Sequence, residues 1–299
     1  MRFEVIGKGA YGIVARHTNI QKRSTVVKYQ IMPRAAGGLP VVAVREASIL
    51  KRLRHPGIVN VRNISILTGK DAEDVYVRLG YRPRGDDIHM IEMGSYGLNL
   101  RRHVEEHGII PKEWVVELLD ALAYIHSKRI MHRDIKPENI LVGCNRLVIC
   151  DFGLAREFPV VDYDSVHGAP KLTNGVVTSW YRPAEVILGG PYDEKIDVWS
   201  LGVMIWEIFR NAPVFPYDEG YSVLIGIMTH FGTPTEATWP GVSSLPHYQV
   251  LFPQFKPMDN PFCGVQDPVI EKLLRHMVVV CPSKRHTSRA CYELLVNTP

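Results

Sequence analysis

The sequence is poor in cysteine, and none of its five cysteines (Cys144, Cys150, Cys263, Cys281, Cys291) belongs to a C-x-x-C pair. That argues against both a disulfide framework and a paired-cysteine zinc site. It fits reduced thiols in an intracellular compartment, cytoplasm or nucleus. A long apolar run is also missing. The most apolar helical stretch, Ile196 to Phe209, is interrupted by Asp197 and Glu207 and is too short to span a bilayer. It reads as a buried core helix, and no membrane partner is expected. The opening residues Arg2-Phe3-Glu4-Val5-Ile6-Gly7 lack a basic region followed by an apolar one, so no signal peptide is visible. Charge of one sign is not in excess either. A net charge of +4 over 299 residues, with Lys and Arg dispersed apart from clusters such as Lys51-Arg52-Leu53-Arg54, gives no footprint for nucleic acid. There is no low-complexity segment and no internal repeat. What is present is a 46 % hydrophobic composition, enough for a substantial core in one or two domains.

The densest chemistry lies in His132-Arg133-Asp134-Ile135-Lys136-Pro137-Glu138-Asn139, followed twelve positions later by Asp151-Phe152-Gly153. Between them, Ile140-Leu141-Val142 and Leu147-Val148-Ile149 are apolar runs separated by the turn residues Gly143-Cys144-Asn145-Arg146, the pattern of a β-hairpin. An antiparallel return brings the start of one strand to about 5 Å from the end of the other, which predicts Asn139 and Asp151 side by side. Two oxygen ligands at one edge suit Mg²⁺, which completes its shell with water and phosphate oxygens.

Near the start, strand-like Phe3 to Ile6 and Ile13 to Arg16 enclose Gly7-Lys8-Gly9-Ala10-Tyr11-Gly12. A lone G-x-G-x-x-G matches dinucleotide sites as well as other phosphate loops. A dinucleotide fold needs the glycines to open a helix. Here β-branched residues and a further strand, Ser24 to Tyr29, follow instead, so the loop belongs to a hairpin whose backbone amides can approach phosphate. Ile6 and Val14 flank it and are placed to cover an adenine ring. Lys28 sits in the apolar run Thr25-Val26-Val27-Lys28-Tyr29, where a lysine is more often an edge-strand charge. The next helix shifts that balance. Val42, Glu46, Ile49, Leu50 and Leu53 share one face, and Glu46 is the one charge on it. A buried carboxylate needs a cation, and Lys28 is the candidate.

These segments resemble the signature set of eukaryotic protein kinases. Leu39 to Glu46, Val176 to Arg182, Gly232-Thr233-Pro234, Trp239-Pro240-Gly241 and Phe252-Pro253 are similar to the cyclin-dependent kinases in particular. The likeness runs from Ile6 to about Arg285. It implies an α+β, bilobal fold over 1–299: a small β-rich N-lobe (about 1–92), a hinge (about 92–95) and a larger, mainly helical C-lobe (about 96–299), with ATP between the lobes. By the same resemblance Asp134 is the catalytic base and Lys136 contacts the transferred phosphate. Asn139 and Asp151 hold Mg²⁺, and the Lys28–Glu46 pair holds the α- and β-phosphates. Ile6, Gly7, Gly9, Gly12, Val14, Ile91, Glu92 and Asn99 surround ATP. Thr173 is the activating phosphosite gathered by Arg45, Arg133 and Arg156, and Tyr11 is a candidate inhibitory phosphosite. Thr178 steadies Asp134 and Lys136, while Val177 and Arg182 favour proline after the target Ser/Thr. Protein substrates and a cyclin-like subunit on the Pro40–Arg54 helix are the implied partners.

The sequence departs from that pattern in places. Ala-Pro-Glu reads Pro183-Ala184-Glu185, although Glu185 keeps Arg285 as its expected buried partner. Cys281 replaces an aspartate, Asn99 replaces a ribose-binding aspartate, and Ala10 removes a threonine beside Tyr11. Val41-Val42 replaces a small polar pair, and Gly175 stands where mitogen-activated kinases have a tyrosine. The stretches from Val61 to Asp87 and from Asp151 to Glu185 are long, the second carrying Asp162 and Asp164. Two further readings follow: a kinase-shaped docking module, and a member of the group that acts without a cyclin.

Overall fold

The computed structural model describes residues 2–9, 12–32, 41–83, 85–108, 110–143, 146–158 and 179–297. Tyr11, Pro40, Thr173, Val177 and Thr178, with Asp162, Asp164 and Gly175, lie outside the described residues. The fold is α+β and separates into two units. The first is Met1–Gly97 with Leu141–Arg156, and the second is Leu98–Ile140 with Glu157–Pro299.

In the first unit, β1 (Arg2–Gly9), β2 (Gly12–Thr18), β3 (Ser24–Met32), β4 (Val61–Leu67) and β5 (Asp87–Gly94) form one antiparallel sheet in the order β1-β2-β3-β5-β4. β3 continues three residues past the expected end at Tyr29, because Gln30, Ile31 and Met32 pair with His89, Ile88 and Asp87. The period-2 alternation divides the strands between two faces. Ile13, Ala15, Val27, Tyr29 and Ile88 go to one apolar face. Lys28 and Gln30 point the other way, toward helix α1 (Val41–Arg52), which buries Ala43, Glu46, Ile49 and Leu50.

The long Val61–Asp87 stretch contains a helix of its own, α2 (Gly69–Arg78). Ala72, Val75, Tyr76 and Leu79 recur at i, i+3, i+4 and i+7 and cover the apolar sheet face. The helix ends in a left-handed Gly80 (φ 78°), with the Tyr81 N–H donating to the Tyr76 carbonyl and the Gly80 N–H to that of Val77, a Schellman closure. Behind it, Lys8 of the glycine loop lies 5.2 Å from the Tyr81 ring centroid. Val75→Ala is expected to cost about 2 kcal/mol of unfolding free energy through lost burial and a residual cavity. Val77→Ala, at a site 65 % exposed, is expected to stay within about 0.5 kcal/mol. Urea denaturation of both variants reads the difference.

β7 (Ile140–Gly143) and β8 (Arg146–Ile149) form the expected hairpin, which from Leu141 onward belongs to the first unit. Its return strand is tied to the segment before β4. The Val59 N–H donates to the Ile149 carbonyl and the Ile149 N–H to that of Gly57, both at 2.9 Å.

The second unit carries β6 (Ile130–Met131) and the helices α3 (Leu100–His107), α4 (Lys112–Ser127), α5 (Ala184–Ile187), α6 (Lys195–Arg210), α7 (Gly220–Phe231), α8 (Pro268–Met277) and α9 (Ser288–Val296), while the short β9 (Arg156–Glu157) falls at the boundary. α6 is the predicted core helix, buried from Ile196 to Ile208 apart from the half-buried Ser200, with both charges included, since Asp197 and Glu207 are also enclosed. Arg285 and Glu185 meet as predicted, in a fork at 2.6 and 3.1 Å, both buried. Among the described residues, no helix is long and apolar enough to cross a membrane.

Candidate active site

In the first unit, the β1–β2 hairpin presents Gly7, Gly9 and Gly12, with Gly9 opposite Gly12. Gly12 has φ 137°, and a Cβ there would lie 2.4 Å from the Tyr29 carbonyl oxygen, so no other residue fits. A register shift between Val5 and Gly7 leaves Ile6 as the bulged residue, 41 % exposed. Ile91 is fully buried in β5, opposite Lys28.

Lys28 Nζ lies 2.7 Å from Glu46 Oε1 and 2.8 Å from Asp151 Oδ1. Burial opposes its charge, but the carboxylates of Asp151 and Glu46 outweigh it and hold the ammonium above the ordinary lysine range. Burial pushes the Glu46 carboxyl up, against the pull of Lys28 and of a hydrogen bond from Gln30. Asp151 itself adopts φ 59°, the left-handed region that a non-glycine residue enters at a cost. It follows a strand anchored by the Ile149 bonds, and the Gly153 N–H reaches back toward its carboxylate at 3.4 Å.

In the second unit, Asp134, Lys136 and Asn139 form one cluster. Lys136 Nζ is 2.8 Å from Asp134 Oδ2, and the Asn139 amide nitrogen donates to both the carbonyl and the carboxylate of Asp134 at 2.8 Å. Asp197, fully buried in α6, sets the backbone of that loop. Its two oxygens accept from the N–H groups of His132 and Arg133 at 2.7 Å, and from His126 Nε2 at 3.0 Å. Burial alone would raise this carboxyl, yet the bonds from His126 and the loop hold it below its ordinary value. Arg133, pinned in this way, takes φ 69°. Arg101 joins Glu138, Glu207 and Tyr181 beside the same loop, and Tyr181 also donates to Glu207.

The expected residues therefore assemble in two groups, Lys28, Glu46 and Asp151 in one unit and Asp134, Lys136 and Asn139 in the other. Asn99 also has a local task, since its side chain caps α3 by accepting from the Arg102 N–H at 3.0 Å. Arg45 stands half-buried on α1, and Arg182 lies half-buried just before α5. Sequence reasoning missed Asp197, Arg101, Tyr181 and Glu207, and it stopped β3 before Gln30. For Gln30 a signal existed: it lies two residues beyond Lys28 and so on the same strand face. For Asp197 the signal was a charge inside an otherwise apolar helix.

A family model described as protein kinase domain matches residues 1–295, so the chain belongs to the protein kinase family, whose members use ATP and a divalent metal ion. Within that family it is a cyclin-dependent-kinase-like member. Over 302 aligned residues it is 35 % identical to Cell division control protein 2 homolog 2 of Trypanosoma brucei brucei, covering 98 % of this chain and 80 % of that protein.

Proposed function

We propose that this chain is a serine/threonine kinase of the cyclin-dependent type, transferring the γ-phosphate of Mg²⁺·ATP to hydroxyls that precede proline in protein substrates. The observation that carries the reading is the buried Lys28 ammonium joined to both Glu46 and Asp151, at 2.7 and 2.8 Å. These contacts use two of its three N–H donors and leave the third for a phosphate oxygen. Gly7, Gly9 and Gly12 offer backbone amides to the phosphates. Ile6, Val14 and Ile91 enclose the adenine, with Glu92 at its edge and Asn99 near the ribose.

Asp151 and Asn139 would hold the cation, and their donors are the oxygens that Mg²⁺ prefers. Asn139 fits because its nitrogen is committed to Asp134, leaving the side-chain oxygen as ligand. Asp151 fits because its side chain stays 37 % exposed beside Lys28. When bound, Mg²⁺ offsets charge on the phosphate oxygens. Asp134 accepts the proton of the attacking hydroxyl, and Lys136 steadies the transferred group.

Regulation follows from the same reading. Phosphate on Thr173 would be gathered by Arg45, Arg133 and Arg156 in charge-assisted hydrogen bonds. By the same resemblance Thr178 would hold Asp134 and Lys136 in place, Val177 with Arg182 would select proline, and Tyr11 is a candidate inhibitory phosphosite. A cyclin-like subunit is read onto α1, whose outward Val41 and Val44 are 68 % and 48 % exposed. Among the described residues, Cys263, Cys281 and Cys291 are outside any disulfide, in keeping with an intracellular setting.

Radiolabel transfer from Mg·ATP to Ser-Pro, Ser-Ala and Tyr peptides, with and without candidate cyclins, tests the proposal. Ser-Pro peptides are expected to be preferred, with an Asp151→Ala chain inactive. Equal use of Ser-Ala would remove the proline assignment. Transfer by the lone chain equal to that of cyclin mixtures would favour partner independence, and no transfer at all would favour a docking module.

A further inference from the structure

Glu46 has two carboxylate oxygens, and Lys28 occupies one. The other, Oε2, accepts from the Gln30 amide nitrogen at 2.9 Å. Behind it, Gln30 Oε1 lies 2.7 Å from Nδ1 of His89, its direct cross-strand partner in β5. Lys28, Glu46, Gln30 and His89 are only 6, 2, 7 and 4 % exposed, so none of these contacts competes with water. The donor and acceptor inventory leaves one assignment. A carboxylate only accepts, so Gln30 presents its nitrogen to Glu46 and its oxygen to His89, which then carries a proton on Nδ1. Burial, with the positive charges of Lys28 and Lys51, lowers the pKa of His89 and favours the neutral ring, whose one N–H this assignment places on Nδ1.

An apolar pair would fill these two positions without desolvating a carboxamide and an imidazole, and the net stability from such a satisfied pair is small. What the polar pair adds is direction. The terminal torsion of a glutamate is broad, so Lys28 alone leaves the carboxylate plane free to turn. Donors to both oxygens, from positions 28 and 30 of one strand, set that plane and with it the rotation of α1 against the sheet.

We propose that Gln30 and His89 are positioning residues for phosphoryl transfer: they lock the second oxygen of Glu46 and thereby orient the Lys28 ammonium and helix α1. The inference rests on the kinase reading above. Neither residue touches nucleotide or substrate; both act through Glu46.

The test compares the full chain with Gln30→Met/His89→Leu, His89→Leu and His89→Asn. Per folded molecule, kcat on a Ser-Pro peptide is expected to fall about tenfold in the double variant, the effect of one lost bond to a charged group. His89→Leu should show a smaller loss. His89→Asn should return to within about twofold, because its amide N–H replaces that of Nδ1. Peptide KM and the thermal midpoint of the double variant should hold. Hydrogen exchange across α1 should rise about tenfold in the double variant, while α4 stays protected. Exchange reads the helix even where no phosphate is transferred, so a wild-type chain inactive with and without cyclins would defeat the kinase reading, while exchange would still decide whether Gln30 and His89 fix Glu46 and α1. Unchanged exchange in α1, unchanged kcat per folded molecule in an active chain, or His89→Asn as impaired as His89→Leu would overturn it.

Discussion

Asp134→Asn is expected to lower kcat by about 10²–10⁴-fold, the usual contribution of a positioned general base, with little change in peptide KM. The substitution keeps an oxygen for the Asn139 amide nitrogen, which now donates to the Asp134 carboxylate at 2.8 Å. It also leaves the backbone bonds from His132 and Arg133 to Asp197 in place. What disappears is the carboxylate that faces Lys136 at 2.8 Å, the proposed acceptor of the hydroxyl proton. Steady-state transfer to a Ser-Pro peptide measures the effect. A kcat within a factor of about three of wild type would remove Asp134 from the role of base.

Arg285→Leu is expected to be the most damaging single change to stability, about 3–5 kcal/mol, because it strands the Glu185 carboxylate in the interior. The pair is enclosed at 0 and 1 % side-chain exposure. The guanidinium also donates to the carbonyls of Val279 and Lys195 and lies 5.0 Å from the Trp199 ring centroid. In a unit of this size the loss corresponds to a fall in Tm of roughly 6–20 °C. Adding Glu185→Leu should restore part of it, since two apolar groups leave no buried charge behind. Scanning calorimetry of the three variants checks both statements. A double variant less stable than Arg285→Leu would show that Glu185 contributes through other contacts.

Much of the site was legible because its residues are adjacent in sequence or spaced at a helical or strand period. His132 to Asn139 and Asp151 read as a phosphate–metal cluster from type and spacing alone. The Glu46–Lys28 pairing followed from one carboxylate on an apolar helix face. Glu185 and Arg285, a hundred positions apart, were pairable only through family resemblance. The helical period of Ala72, Val75, Tyr76 and Leu79 is present in the sequence, but it marks α2 as part of the fold only through the apolar sheet face that those side chains cover.

Residue type and spacing settle which chemical groups are present: the glycines of the β1–β2 hairpin, the lysine and carboxylates, and the apolar stripes that drive burial. Which buried partner each polar group meets depends on the packed fold. Gln30 meets His89 because β3 and β5 pair in that register, and Asp197 reaches the His132–Arg133 backbone because α6 packs beneath it. Such partners lie on other strands and helices, at separations set by chain topology. A satisfied hydrogen bond across that distance leaves no period in the sequence to read.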